Sequence, residues 1–349
     1  MSTAKMRESS FELIRLVAMF MIVLYHIYII HIQPAYDTPF NTAVWMPLHI
    51  GVPLFVLISG YWGIRVSGRG LARLLGQMLV YTVPLTLIFN HLTGIGGGKS
   101  IFISFLIVSD TPFWFMKTYI CLFLFSPVLN YFLKDISLKN RIYLLITLFF
   151  MAIYLPTAER LTIGTSDEGK HILYFSFVYV LGNTLRAYES SWRKIKTIQL
   201  LIVYLALNLF LVAVYCYFDG VKISSRLFAL SFPYNSPILQ INAVLLFMLV
   251  AKHPFKSKAV NWLSSSALAI YLIHESYLSR YWVIGPVALW IKSFFTNDYV
   301  ALCALAVLAL GVVLACILID KLFTPLWAWF QRVGEKAEIK IVAFVNQHV

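Results

Sequence analysis

The chain has 349 residues, of which 60% are hydrophobic and only 12% charged, with a mean hydropathy of +0.80. A soluble domain carries roughly twice that charged fraction, so a water-soluble globular protein is excluded and a multi-pass membrane protein is implied. The net charge of +13 is not by itself a nucleic-acid signal, because basic residues must first be placed relative to a bilayer.

Lys5 and Arg7 precede the first apolar stretch, as in a signal peptide. The stretch is too long for one, lacks a small-residue cleavage site and contains His26, so it reads as a retained helix. Ten apolar segments follow in order, near 11–31, 44–64, 72–91, 113–133, 141–156, 171–187, 198–217, 235–251, 266–290 and 299–319. Each approaches the ~20 residues of a membrane helix, and runs of that length do not suit a β-barrel. The piece "IFISFLIVSD" at 101–110 is too brief to span and is expected to be re-entrant or interfacial. With the N-terminus inside, 19 of the 28 Lys and Arg fall in cytoplasmic segments and 6 in external ones, with Arg15, Lys117 and Arg280 inside spans. That asymmetry is the positive-inside pattern. The expected fold is an all-α integral membrane protein of about ten transmembrane helices with both termini cytoplasmic. Residues 1–349 form one transmembrane domain without a soluble accessory domain, and no nucleic-acid partner is expected. Most of the positive charge is topology and contact with membrane lipid. No repeat relates the two halves, which counts against an inverted-repeat transporter.

The first segment reads "FELIRLVAMFMIVLYH". Arg15 and His26 are eleven positions apart, close to three turns, so they share one helix face about 16 Å apart along the axis. Glu12 falls near that face and can pair with Arg15. An arginine near a helix end can simply snorkel to headgroups, and a neutral histidine can hydrogen-bond a neighbouring helix. Ionisable groups within a span are nonetheless functional candidates by default.

Four stretches, in order, resemble the membrane acyltransferase-3 family: the Arg-x10-His face, "PLFVLISGYWG" at 53–63, "FWFMKTYICLFLFSPVL" at 113–129 and "ALAIYLIHESY" at 267–277. The resemblance covers the whole ten-helix plan. It implies transfer of an acyl group, commonly acetyl from acetyl-CoA, to a hydroxyl of a sugar or surface polysaccharide, in the cytoplasmic (inner) membrane of a bacterium. Acyl-CoA is then a co-substrate with no bound cofactor, and the acceptor is a glycan or its lipid-linked precursor. The family often shows an Arg-x-x-Arg pair after the second helix, whereas this chain has Arg65, Arg69 and Arg73. Some members carry a fused extracytoplasmic domain; without one here, that activity would need a separate partner.

On this reading His26 is the general base or a transient acyl carrier, and Glu12 orients Arg15 towards the donor. Arg65, Arg69 and Arg73 are candidate donor-binding cations or lipid anchors, on one face if the second helix continues through them. Ser59, Gly60 and Tyr61 permit close backbone approach, as plain helix packing also would. Trp114 suits an aromatic belt as well as a sugar platform. His274 and Glu275 are supporting candidates inside a predicted helix, where a buried acid calls for a partner or a wet cavity. Arg280, five positions from Glu275, does not share its face in an α-helix. The alternative from another class is a proton-coupled transporter or exporter using His26, His274 and Glu275 as a relay.

Other motifs fall away. "TGIGGGKS" at 93–100 has threonine where a phosphate loop needs its first glycine. No metal site is expected, since there is no H-E-x-x-H and His26 and His31 diverge by about 140° on an α-helix. Cys121, Cys216, Cys303 and Cys316 sit in apolar runs without C-x-x-C spacing and read as small buried residues.

Overall fold

The computed structural model describes residues 7–32, 39–94, 113–163, 168–217 and 233–348, and these contain helices and no strand. The piece at 101–110, most of the loop at 93–100, half of the segment 32–43 and most of the segment 218–234 lie outside them. In chain order the helices begin α1 (Ser9–His26), α2 (Pro39–Leu48), α3 (Gly51–Trp62), α4 (Gly68–Thr93), α5 (Trp114–Leu133), α6 (Leu138–Phe149), α7 (Leu155–Ile163) and α8 (Ile172–Ala187). They continue as α9 (Glu189–Trp192), α10 (Thr197–Tyr217), α11 (Pro237–Ala251), α12 (Lys258–Ser264), α13 (Ala267–His274), α14 (Gly285–Phe294), α15 (Asp298–Leu322) and α16 (Thr324–His348). Three π-helical turns, Ile27–Ile32, Phe150–Tyr154 and Leu278–Ile284, join them.

Seven helical runs among the described residues are long and apolar enough to cross a membrane: Ser9–Ile32, Ala43–Trp62, Gly68–Thr93, Trp114–Leu133, Leu138–Thr162, Thr197–Val214 and Asp298–Leu322. Ile172–Ala187 and Pro237–Ala251 are apolar but shorter. The segment expected at 266–290 is not one helix. It stops at His274, resumes as the π turn Leu278–Ile284 and continues as α14. Many outward-facing side chains on the long helices are apolar; α10 exposes Ile198, Ile202, Leu209 and Phe210. A soluble protein would bury such a face, so this is a multi-pass membrane protein.

The helices fall into two compact units, Met1–Ile64 with Val128–Ser264, and Arg65–Pro127 with Ser265–Val349. In the first, α1 is buried on nearly every side, and its start is tied to the segment before α12. The Ser9 amide donates to Phe255 O at 2.9 Å, the Ser257 amide donates to Ser9 Oγ at 2.7 Å, and Asn261 Nδ2 donates to Arg7 O at 3.2 Å. Helices α3 and α8 touch through glycines. A Cβ on Gly60 would lie 2.0 Å from Tyr179 O, and one on Gly182 would lie 2.3 Å from Leu57 O. Small residues let membrane helices approach backbone to backbone. Gly63, at φ +73°, then ends α3 in a region open chiefly to glycine. The exit is held by Tyr179, whose hydroxyl accepts from the Ile64 amide at 2.9 Å and donates to Asn130 Oδ1 at 2.6 Å.

In the second unit α16 runs antiparallel along α4. Gly334 meets Gly68, and Phe330 fills the space beside Gly76. Glu338 accepts from the Gly68 amide at 2.9 Å, satisfying one of the orphan N–H groups at the start of α4. The buried Asp320 carboxylate accepts from Tyr81 OH at 2.8 Å, Trp327 Nε1 at 3.0 Å and Gln77 Nε2 at 3.2 Å. One acid thus binds α4, the end of α15 and the start of α16 together, because a buried carboxylate must find donors.

Candidate functional site

The first-helix face forms as its spacing predicts. Arg15 Nη1 donates to Glu12 Oε1 at 2.5 Å, one helical turn away. Glu12 is 4% exposed, and Ser264 Oγ donates to its other oxygen at 2.6 Å. Arg7 Nη1 stands 3.7 Å from Glu12 Oε1. Two arginines thus converge on the buried Glu12 carboxylate. They line, with Glu8 and Trp62, an open cleft of about 300 Å³.

Trp62 belongs to an aromatic cluster in which Phe11 packs on Tyr61 at 4.8 Å, Trp62 at 5.1 Å and Phe247 at 5.7 Å between ring centroids. The Arg186 guanidinium lies over Trp62 at 4.9 Å and over Tyr61 at 5.1 Å. Glu189 in turn accepts from Arg186 at 3.1 Å and from Arg193 at 2.7 Å. Tyr61 belongs to this cluster. Ser59 donates to Phe55 O at 2.9 Å within α3, and Gly60 makes the α8 contact.

His26 is the last α-helical residue of its helix; Ile27–Ile32 is π-helical. Its ring stands 5.7 Å from Tyr25, which also meets His49 at 4.7 Å. His49 stacks on Tyr234 at 4.3 Å and 16°. π turns replace i→i+4 by i→i+5 hydrogen bonds and gather at functional positions. The 140° divergence of His26 and His31 assumed α geometry throughout, which the turn after His26 does not have.

In the other unit His274 is 2% exposed, and its Nδ1 donates to Ile270 O at 2.6 Å. A carbonyl only accepts, so the neutral ring carries its proton on Nδ1. Nε2 then faces Glu275 Oε2 at 3.8 Å. The partner that a buried Glu275 calls for is Arg280, whose Nη1 donates to Glu275 Oε1 at 2.7 Å. The five-residue offset had argued against that pair. It forms because the α period ends at His274 and a break and a wider turn follow. Trp114 starts α5 and packs on Phe115 at 6.2 Å; Phe115 meets Tyr271 at 5.4 Å, and Tyr271 meets His274 at 6.1 Å.

The three arginines after the second helix do not share one face. The helix stops at Trp62, so Arg65 lies in the connector and only Arg69 and Arg73 are on α4. Arg73 Nη2 donates to Ser265 O at 3.3 Å. Sequence reasoning placed Arg7 only among the basic residues before the first helix and did not single out Trp62, Arg186, Ser264 or His49. Trp62 stands inside a quoted motif and could have been found; Ser264 joins Glu12 only through packing of α12 on α1.

No curated protein and no solved structure matches the chain. The model of the acyltransferase domain of the acyltransferase-3 family matches residues 8–321, a stretch that contains the Arg15–His26 face, the α3 glycine motif, Trp114 and the His274–Glu275 break. With nine-tenths of its length inside that match, the chain belongs to the acyltransferase-3 family of membrane acyltransferases.

Proposed function

We propose that the protein is an integral-membrane O-acyltransferase of the bacterial cytoplasmic membrane. It moves an acyl group, acetyl in the first instance, from cytoplasmic acyl-CoA to a hydroxyl of a surface glycan or its lipid-linked precursor. Residues 1–349 act as a single transmembrane domain, with acyl-CoA as co-substrate and no bound cofactor. A separate extracytoplasmic protein is a further proposed partner on the acceptor side.

The observation that carries this reading is the α1 face, with an arginine-lined cleft at its start and His26 three turns further on. At the cleft, Arg7 and Arg15 offer guanidinium forks suited to donor phosphates. Glu12, held by Ser264, fixes the Arg15 head group. Trp62, half exposed at the rim, gives a flat face on which a purine can stack. Arg65, Arg69 and Arg73 remain proposed donor contacts, individually rather than as one stripe. Ser59 and Tyr61 support the cleft from α3.

His26 acts as the base. As the acceptor oxygen attacks the thioester carbonyl carbon, its proton passes to the imidazole. The C–S bond breaks, the thiolate of coenzyme A takes up that proton, and an ester remains on the acceptor. His274, Glu275 and Trp114 are proposed supporting residues. A fixed tautomer and a paired carboxylate suit His274 and Glu275 to holding polar groups inside the membrane.

The test is release of free coenzyme A by purified protein given acetyl-CoA, with and without crude surface glycan. Release that needs glycan and disappears in His26→Ala is expected. Glu12→Gln should raise KM for the donor at least about fivefold with a smaller change in kcat, because it loosens Arg15 rather than touching the reacting atoms. Full activity in His26→Ala removes that residue from the chemistry. Solute movement without consumption of acyl-CoA would replace the reading altogether.

A further inference from the structure

A cationic centre lies in the unit that contains α4, α13, α15 and α16. Arg73 reaches the carbonyl of Ser265 at 3.3 Å, and Lys321 Nζ donates to the hydroxyl of the same residue at 2.6 Å. The three come from 73, 265 and 321, so folding and not local sequence brings them together. Two like charges on one serine repel unless an anion joins them, and the repulsion grows as water is excluded. Asp320, next to Lys321, offsets part of this, but its carboxylate is 2% exposed and turned to Gln77, Tyr81 and Trp327.

Ser265 is exposed, so the centre opens to solvent. Ser266 follows as the N-cap of α13. It is fully buried, its hydroxyl caps no amide, and its Oγ has no hydrogen-bond partner among the described residues. The first amides of α13 lack intrahelical acceptors, and the positive end of the helix dipole adds to the cations. A fork, a point charge, hydroxyls and helix amides are the donor set that holds a tetrahedral oxyanion.

We propose that Arg73, Lys321, Ser265 and Ser266 form a phosphate-binding site at the start of α13. Its ligand is a phosphate ester, supplied either by the 3′-phosphate of coenzyme A or by an anionic lipid headgroup. The first source rests on the donor reading given above; the second does not.

The full chain in phosphatidylcholine nanodiscs is titrated with coenzyme A and with dephospho-coenzyme A, which lacks the 3′-phosphate. Retention of phosphatidylglycerol through purification is measured in parallel. Lys321→Gln and Arg73→Gln are each expected to weaken one phosphate ligand about tenfold, the loss of one charge-assisted contact. Lys321→Arg, which keeps the charge, is expected to stay within about threefold of wild type and separates lost binding from lost folding. Weakened coenzyme A with unchanged dephospho-coenzyme A assigns the phosphate to the donor. Lost phosphatidylglycerol with unchanged coenzyme A assigns it to lipid. Failure of the wild type to bind coenzyme A defeats the donor reading, while the phosphatidylglycerol arm still decides this site. Neither ligand shifting in folded Gln variants overturns it.

Discussion

Burial and pairing pull opposite ways on Glu189. Desolvation raises its pKa, while the Tyr61 hydroxyl, Arg193 and Arg186 lower it, and the pairing wins: the carboxyl lies below its ordinary 4.5. A carboxylate whose folded pKa is depressed contributes stability above the unfolded value, and that contribution is lost as pH falls through the folded one. The midpoint of thermal unfolding should therefore drop as pH is lowered from about 4.5. Glu189→Gln should unfold at lower temperature than wild type at pH 7 and show a shallower acid limb; equal limbs would remove Glu189 from that titration. The same cluster holds Arg186 over Trp62 at the rim of the cleft. Single residues were legible where helix geometry alone relates them, as with Glu12 and Arg15. They were not where a partner arrives from 250 positions away, as Ser264 does.

Among the described elements, α3 and α8 meet backbone to backbone. The Gly60–Gly182 approach leaves no room for a side chain on either helix, and the neighbours that a Cβ would meet are backbone atoms that cannot swing aside. Gly182→Val should therefore cost at least about 2–3 kcal/mol, read as loss of folded, membrane-inserted protein against Gly182→Ala as the milder change. Wild-type yield and melting temperature in the valine variant would show that the helices can part without penalty. The motif at 53–63 marked Gly60, but Gly182 carries no motif, and only the approach of α8 reveals its purpose. The broken ninth segment teaches the converse. Its 25 residues, mostly apolar, read as one span, and hydropathy cannot register the exchange of α for π hydrogen bonding. That exchange is what lets Arg280 meet Glu275.

At the scale of the whole molecule, charge asymmetry predicts both termini in the cytoplasm. Fluorescent-protein and alkaline-phosphatase fusions at each end test this. Bright fluorescence and no phosphatase activity at both ends are expected, and opposite sides would require an odd number of crossings. The sequence by itself determined the class, the membrane environment and the Arg15–His26 face, because hydropathy, charge bias and the 3.6-residue period are local and add along the chain. Only the tertiary structure decided that Arg65 leaves the helix, that Ser264 holds Glu12, and that Arg73 and Lys321 meet at Ser265. Each of these depends on a helix end or on a contact between distant segments, and no periodicity along one segment encodes either.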